Sequence, residues 1–366
     1  FGSSRFGLAK RLSCLPFCPP TQPFSQGGHP HGNDMAATAP CLDDFQLMKV
    51  IGKGSYGKVM LVKHKGDPDG SVYAMKMLRK ENVVKRNQVE HTKTERNVLE
   101  AVSHPFIVTL HSAFQTPKKL HFVLEYCPGG ELFFHLSRAG RFSEGRCRFY
   151  ASEILLAIEY LHKLNIIYRD MKPENILLDA EGHVKLTDFG LSKEGIQDNF
   201  SAKSMCGTPE YLAPEVIQSK GHGLGVDWWT LGILLFEILA GYPPFYDDNP
   251  FGIYKKVLAG QIEFPGGMEL KAKDLIKRLL MHDQGKRLGC LKDGVDDVKR
   301  HKYYKGLDWD LLGSRSLPPP FIPPVSGLDD VSMFEQYPES MENDAPPLSP
   351  EEQRRFEGFL GSAAST

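Results

Sequence analysis

From Phe45 onward, apolar and polar positions follow one another in short runs that end at turn-forming residues. Leu47 to Ile51, Lys58 to Lys63 and Val72 to Leu78 are three such runs, joined by "GKGSYG" and "KGDPDG". Strand-like runs separated by Gly, Asp and Pro predict an antiparallel meander. In "NQVEHTKTERNVLEAV" (87–102) the spacing lengthens, with Val89, Val98 and Leu99 set among charges, and this interval predicts a helix. "FIVTLHSAFQ" and "KLHFVLEY" return to strands before "CPGG" (127–130) breaks the pattern. The segments 143–164, 227–240, 250–260 and 270–281 then read as helices. The expected class is α+β: a small β-rich lobe with one helix, a larger α-helical lobe, and a cleft where a short Gly/Pro segment joins them. There is no internal repeat.

Composition narrows this picture without redirecting it. A chain of 366 residues with 41% hydrophobic and 24% charged residues is ordinary for a globular protein. The net charge of −1 gives no sign of nucleic acid or an anionic surface as partner. Seven cysteines lie scattered with no C-x-x-C pair, which argues against a zinc site and a disulfide framework and for a reducing compartment. No run reaches the ~20 apolar residues of a membrane span; the longest, Trp228 to Ala240, carries Glu237 and reads as a buried helix. Residues 1–44 are rich in Pro, Gly, Ser and His, and Met35 looks like a plausible start. They are expected to be disordered or extraneous to the fold.

Chemistry first shows in "IGKGSYGKV" (51–59), whose glycines 52, 54 and 57 have the G-x-G-x-x-G spacing. A dinucleotide fold would run these glycines into a helix and place an acid about 20 residues on. Here they run into the strand-like "KVMLV", followed by Lys76 in "VYAMKML". A glycine turn between two strands lets backbone amides approach phosphate oxygens, and Lys76 supplies a charge to them. Its buried ammonium calls for a carboxylate, which Glu95 or Glu90 can supply. A second knot, "IIYRDMKPENILL" (166–178), fixes Asp170, Lys172 and Asn175 between apolar runs, where ionised groups are costly without partners.

"IGKGSYGKV", "YAMK", "TERN", "YRDMKPEN", "TDFG" and "APE" occur in the order and approximate spacing of the protein-kinase signatures. Over about residues 45–303 the chain resembles a bilobal protein kinase. "YRDMKPEN" with "CGTPEYLAPE" and "GLSKEGI" is similar to the AGC group, in its serum/glucocorticoid-regulated, Akt and ribosomal-protein kinase branches. The resemblance implies an N-lobe over about 45–127, a C-lobe over about 128–303 and an AGC-type tail over 304–366. It implies ATP and Mg2+ as cofactors, Asp170 as acceptor of the substrate hydroxyl proton, Lys172 as stabiliser of the moving phosphoryl, and Asn175 and Asp188 as metal ligands. Lys76 is expected to pair with Glu95.

The same resemblance places Ile51, Gly52, Lys53, Gly54, Ser55, Tyr56, Gly57, Lys58 and Val59 over the nucleotide. Ala74, Leu178 and the gatekeeper Leu124 line the base pocket, backbone groups of Glu125 and Cys127 read the base edge, and Glu131 touches the ribose. Glu131, Glu174 and Glu237 are expected to receive arginine upstream of the acceptor serine or threonine, and Met205, Pro209 and Leu212 to hold the residue after it. Arg287 is expected to pair with Glu215.

In the tail, Phe334 is expected at the nucleotide cleft and Phe356 with Phe359 in a groove of the N-lobe. Leu360 stands where many relatives carry Ser or Thr. Ser349 is a candidate turn phosphosite. The resemblance also implies that His91, Arg169 and Lys193 converge on Ser204, the expected activating phosphosite, with Ser201 as alternative. The partners implied are basic protein substrates and an upstream kinase, with no nucleic acid; a monomer in the cytoplasm and nucleus is expected. A catalytically dead scaffold is the alternative, although Lys76, Asp170 and Asp188 are all present.

Overall fold

The computed structural model describes residues 40–67, 69–198, 200–202, 204–337 and 347–359. Its first lobe is a five-stranded antiparallel sheet in the order β1-β2-β3-β5-β4. The strands are β1 (Phe45–Lys53), β2 (Gly57–His64), β3 (Val72–Arg79), β4 (Leu110–Gln115) and β5 (Lys119–Glu125). β1 to β3 pair as a meander, and β5 lies between β3 and β4. A short helix, α1 (Lys80–Lys85), leads into α2 (Val89–Ala101). On α2, Val89, Thr92, Glu95, Arg96, Val98 and Leu99 are buried, the helical stripe expected of 87–102.

The larger lobe opens with α3 (Leu132–Ala139), a helix the hydrophobic pattern had not suggested; Leu132, His135 and Leu136 carry its buried face. α4 (Glu144–Lys163) follows, then β6 (Ile176–Leu178) paired with β7 (Val184–Leu186). Next come α5 (Pro214–Ile217), α6 (Gly225–Ala240), α7 (Pro250–Ala259) and α8 (Leu270–Leu279). α6 is buried almost from end to end, so its long apolar run is core. Among the described residues, no helix is long and apolar enough to cross a membrane.

Arg287 is fully buried and forks onto Glu215, with Nη1 and Nη2 2.6 and 2.9 Å from the two carboxylate oxygens. Its Nη1 and Nε also donate to the carbonyls of Gly225 and Met281. A buried ion pair is tolerable only when its polar atoms find partners, and each of the three guanidinium nitrogens here donates at least one hydrogen bond.

At the N-terminal boundary the sequence reading needs correction. Residues 42–44 form a 3-10 turn continuous with β1, because Leu42 packs on the Phe45 cluster and the Asp44 carbonyl accepts from the Lys65 amide at 2.8 Å. Residues 1–39 lie outside the described residues.

After α9 (Val295–Lys299) and α10 (Trp309–Gly313), the chain runs back along both lobes. Arg315 bonds Asp179 at 2.5 Å and Glu181 at 2.8 Å. Gly182, at φ +95°, has no room for a side chain: a Cβ there would stand 2.1 Å from the Phe321 carbonyl oxygen. Tyr126 donates to the Asp330 carbonyl at 2.5 Å, and its ring stacks on Phe334 at 5.7 Å. Ser349 caps α11 (Pro350–Arg354) through a capping box with Glu352. Phe356 and Phe359 are buried in the N-lobe, the latter edge-on to Phe122 at 5.4 Å. Leu360 lies outside the described residues.

Candidate active site

The two lobes enclose a cleft of about 620 Å³ whose lining draws on the glycine turn, β3, α2, the hinge, both signature loops and Phe334. The glycines serve different purposes. A Cβ on Gly57 would stand 1.8 Å from the Met77 carbonyl oxygen, so β3 itself forbids a side chain there. A Cβ on Gly54 would meet nothing within 4 Å, so no neighbour crowds that side of the turn and a phosphate can approach it. Ile51, Gly52, Lys53, Tyr56, Lys58 and Val59 also line the cleft. Ser55 does not; its carbonyl meets Asn82 at 3.5 Å on the outer side of the turn.

Inside, Lys76 Nζ stands 2.6 Å from Glu95 Oε1 and 3.3 Å from Asp188 Oδ1. Burial alone lowers a lysine pKa, but here the carboxylates of Asp188 and Glu95 outweigh it and hold Lys76 cationic. Asp188 is lowered chiefly by Lys76. Glu90 instead meets Lys93 at 3.4 Å on the outer face of α2, which settles the choice of partner. Asp188 sits at φ +58° and Arg169 at φ +68°, left-handed positions that non-glycine residues adopt where the surroundings impose them.

The second loop is anchored from behind. The amides of Tyr168 and Arg169 donate to the carboxylate of buried Asp227 at 3.0 and 2.9 Å. In front, Asn175 Nδ2 donates to Asp170 Oδ2 at 2.6 Å and to its carbonyl at 2.8 Å, while Lys172 Nζ lies 3.1 Å from the same Oδ2. Burial raises the Asp170 carboxyl, with Lys172 and Asn175 opposing. Its nitrogen being spent on Asp170, Asn175 can offer a cation only its amide oxygen. With the Asp188 carboxylate in the same cleft, the donor set is one anion and one amide oxygen, which suits a hard divalent cation that keeps water and phosphate ligands.

Ala74, Leu124, Glu125, Cys127, Glu131, Glu174 and Phe334 all line the cleft. Leu178 does not: it is fully buried, and Leu177 lines the floor in its place. Successive strand residues face opposite sides, so the two leucines of β6 cannot both reach the cleft. Glu131 is pushed up to about 7 by burial, reinforced by the carboxylates of Glu174 and Glu335. Glu237 lies off the cleft and accepts from Tyr211 Oη at 2.5 Å. Met205 is exposed, Pro209 begins a 3-10 turn, and Leu212 is buried beneath Gly207.

Of the three bases expected around Ser204, only Arg169 reaches it, with Nη1 3.0 Å from Oγ. Lys193 donates to the Ser201 carbonyl and His91 meets Gln88 at 2.8 Å. Among the lining residues that the sequence reading did not name are Val108, Tyr126, Leu177, Thr187 and Leu191, although Thr187 and Leu191 lie inside the quoted "TDFG" and "GLSKEGI" and could have been found from them.

Residues 45–304 match the family model described as the protein kinase domain. The chain is 53% identical over 308 residues to a cAMP-dependent protein kinase catalytic subunit of Dictyostelium discoideum, covering 84% of this chain and 47% of that protein. It is 48% identical over 318 residues to the human cAMP-dependent protein kinase catalytic subunit PRKX, covering 87% of each. It is 51% identical over 293 residues to human serine/threonine-protein kinase Sgk2, covering 80% of this chain and 79% of that protein. The chain thus spans about half the length of the Dictyostelium relative and most of the human ones.

Proposed function

Because the chain belongs to the protein kinase domain family, and to its AGC group of ATP-dependent serine/threonine kinases, we propose that it phosphorylates serine or threonine in protein segments carrying upstream arginine. The observation that carries the reading is the Glu95–Lys76–Asp188 chain facing the Asp170–Lys172–Asn175 loop across one cleft. Phosphoryl transfer asks the protein for alignment and charge stabilisation more than for covalent help. Lys76 holds the phosphates of the nucleotide and is itself held by Glu95. Asp170 accepts a hydrogen bond from the substrate hydroxyl and takes its proton as the new P–O bond forms and the bond from the γ-phosphorus to the β–γ bridging oxygen breaks, releasing ADP. Lys172, beside it, neutralises charge on the group in transit. Asp188 and the Asn175 amide oxygen would hold Mg2+, which when bound supplies charge neutralisation at the phosphates.

Glu131 and Glu174 give the cleft mouth its acidity, which favours a guanidinium on the substrate. We further propose that Ser204, already in contact with Arg169, is phosphorylated by an upstream kinase. A phosphate there, carrying about −1.5 to −2 charges, would draw in Lys193 as a second cation and order the segment. The test is transfer of labelled phosphate from Mg·ATP to a basic peptide and to the same peptide with arginine replaced by alanine. Transfer to the first and markedly less to the second is expected; no transfer after treatment with an upstream AGC-activating kinase would refute the reading.

A further inference from the structure

Lys185, the middle residue of β7, poses a problem that the catalytic account leaves unsolved. Val184 and Leu186 on either side are fully buried, and the Lys185 side chain is itself only 7% exposed. An ammonium in that position is costly unless its charge is matched. Both oxygens of Glu125 match it: Nζ lies 2.7 Å from Oε1 and 2.9 Å from Oε2. Glu125 is further fixed by Thr109, whose amide donates to Oε2 at 3.2 Å and whose carbonyl accepts from the Glu125 amide at 2.9 Å.

The two partners sit at mechanically distinct places. Glu125 is the last residue of β5 and, with Tyr126 and Cys127 of the hinge, lines the cleft. β7 leads directly into Thr187 and Asp188, and Leu186 is tied to the N-lobe side through backbone bonds with Phe106 and Val108 at 2.9 Å each. The Lys185–Glu125 pair therefore braces the base-reading edge of the cleft against the strand that delivers the metal-binding carboxylate, while Lys185 does not line the cleft.

We propose that Lys185 is a positioning residue for the nucleotide: through Glu125 it fixes the distance between the hinge backbone that holds the base and Asp188, which holds the cation on the phosphates. The inference rests on the kinase reading above. A nucleotide spans both anchors, so slack between them weakens ATP binding, whereas a peptide bound at the cleft mouth does not span them.

The test compares wild type, Lys185→Met, Lys185→Arg, Glu125→Gln and the Lys185→Met/Glu125→Gln double variant. Mg·ATP affinity is read by direct titration, KM for ATP and for peptide by steady-state kinetics, and Tm by melting. Lys185→Met is expected to weaken ATP binding about three- to tenfold, in the lower part of the range of contacting pairs, with peptide KM unchanged. Lys185→Arg should restore most of the loss, and the double variant should bind no worse than Lys185→Met. Unchanged ATP affinity with a lowered Tm would reduce the pair to a structural bridge and overturn the inference alone, as would additive losses in the double variant. A wild-type protein that binds no Mg·ATP would overturn the kinase reading and this inference with it.

Discussion

Asn175 Nδ2 and Lys172 Nζ converge on one oxygen, Oδ2 of Asp170, at 2.6 and 3.1 Å. The carboxylate proposed to take the substrate proton is thus held in one orientation by two donors, yet burial still raises its pKa. A raised carboxyl means that the fold favours the neutral form. Asp170→Asn is therefore expected to leave the melting temperature unchanged or slightly higher while transfer to peptide is lost. Turnover near wild type would remove Asp170 from the mechanism.

Lys76 makes a stronger demand on its surroundings, since it joins two carboxylates that would otherwise repel. Lys76→Met is expected to lower kcat by roughly 10²–10³, the usual loss for one preorganised donor. Glu95→Gln should show a smaller loss of the same kind, because the ammonium would persist with a single anion. Stopped-time assays at saturating Mg·ATP check both; equal activity in Lys76→Met and wild type contradicts the assignment.

The mouth of the cleft should respond to pH. Glu131 is raised to about 7 by burial, then by Glu174 and Glu335, so its neutral form is favoured in the folded protein. Stability from this group is fully present below its ordinary carboxylate range and is lost as pH rises through about 7. Arginine binding has the opposite sign, because it requires the anion. KM for an arginine-containing peptide is expected to fall as pH rises from 6 to 8, by at most about tenfold per unit below the pKa, and Glu131→Gln should flatten the profile. A profile unchanged by that substitution would point to another acid.

Phe359 fills the N-lobe groove with no exposure, edge-on to Phe122. Phe359→Ala is expected to destabilise the protein by about 3–5 kcal/mol, measured by denaturant titration. Over the ring of Phe356, Lys80 is pushed down to about 8 by burial, bonded to the neutral amides of Gln115 and Gln353 at 2.8 Å each. Lys80→Met should keep the tail docked, as read by its resistance to proteolysis.

That Asp170, Asn175 and Asp188 share one cleft was legible because they stand in motifs whose order and spacing resemble those of protein kinases. Assigning Leu178 to the cleft failed for a local reason: in a three-residue strand, an error of one position exchanges the two faces. The contact of Lys193 with the Ser201 carbonyl was not legible, since it depends on how a loop folds rather than on a periodic element. Lys185 was invisible for the opposite reason. In "VKL" it reads as the solvent-facing member of an alternating strand, and only the hinge crossing in front of it makes that face an interior.

Phe334 forms one wall of the nucleotide cleft, yet it lies beyond residue 304, where the match to the family model ends. A polypeptide trimmed to that match would keep Lys76, Asp170, Asn175 and Asp188 and still present an altered cavity to any small molecule competing with ATP. Inhibitor screens run on such a truncated protein would rank compounds against a surface the full chain does not offer, and chemical groups chosen to contact the Phe334 ring would be discarded as inert.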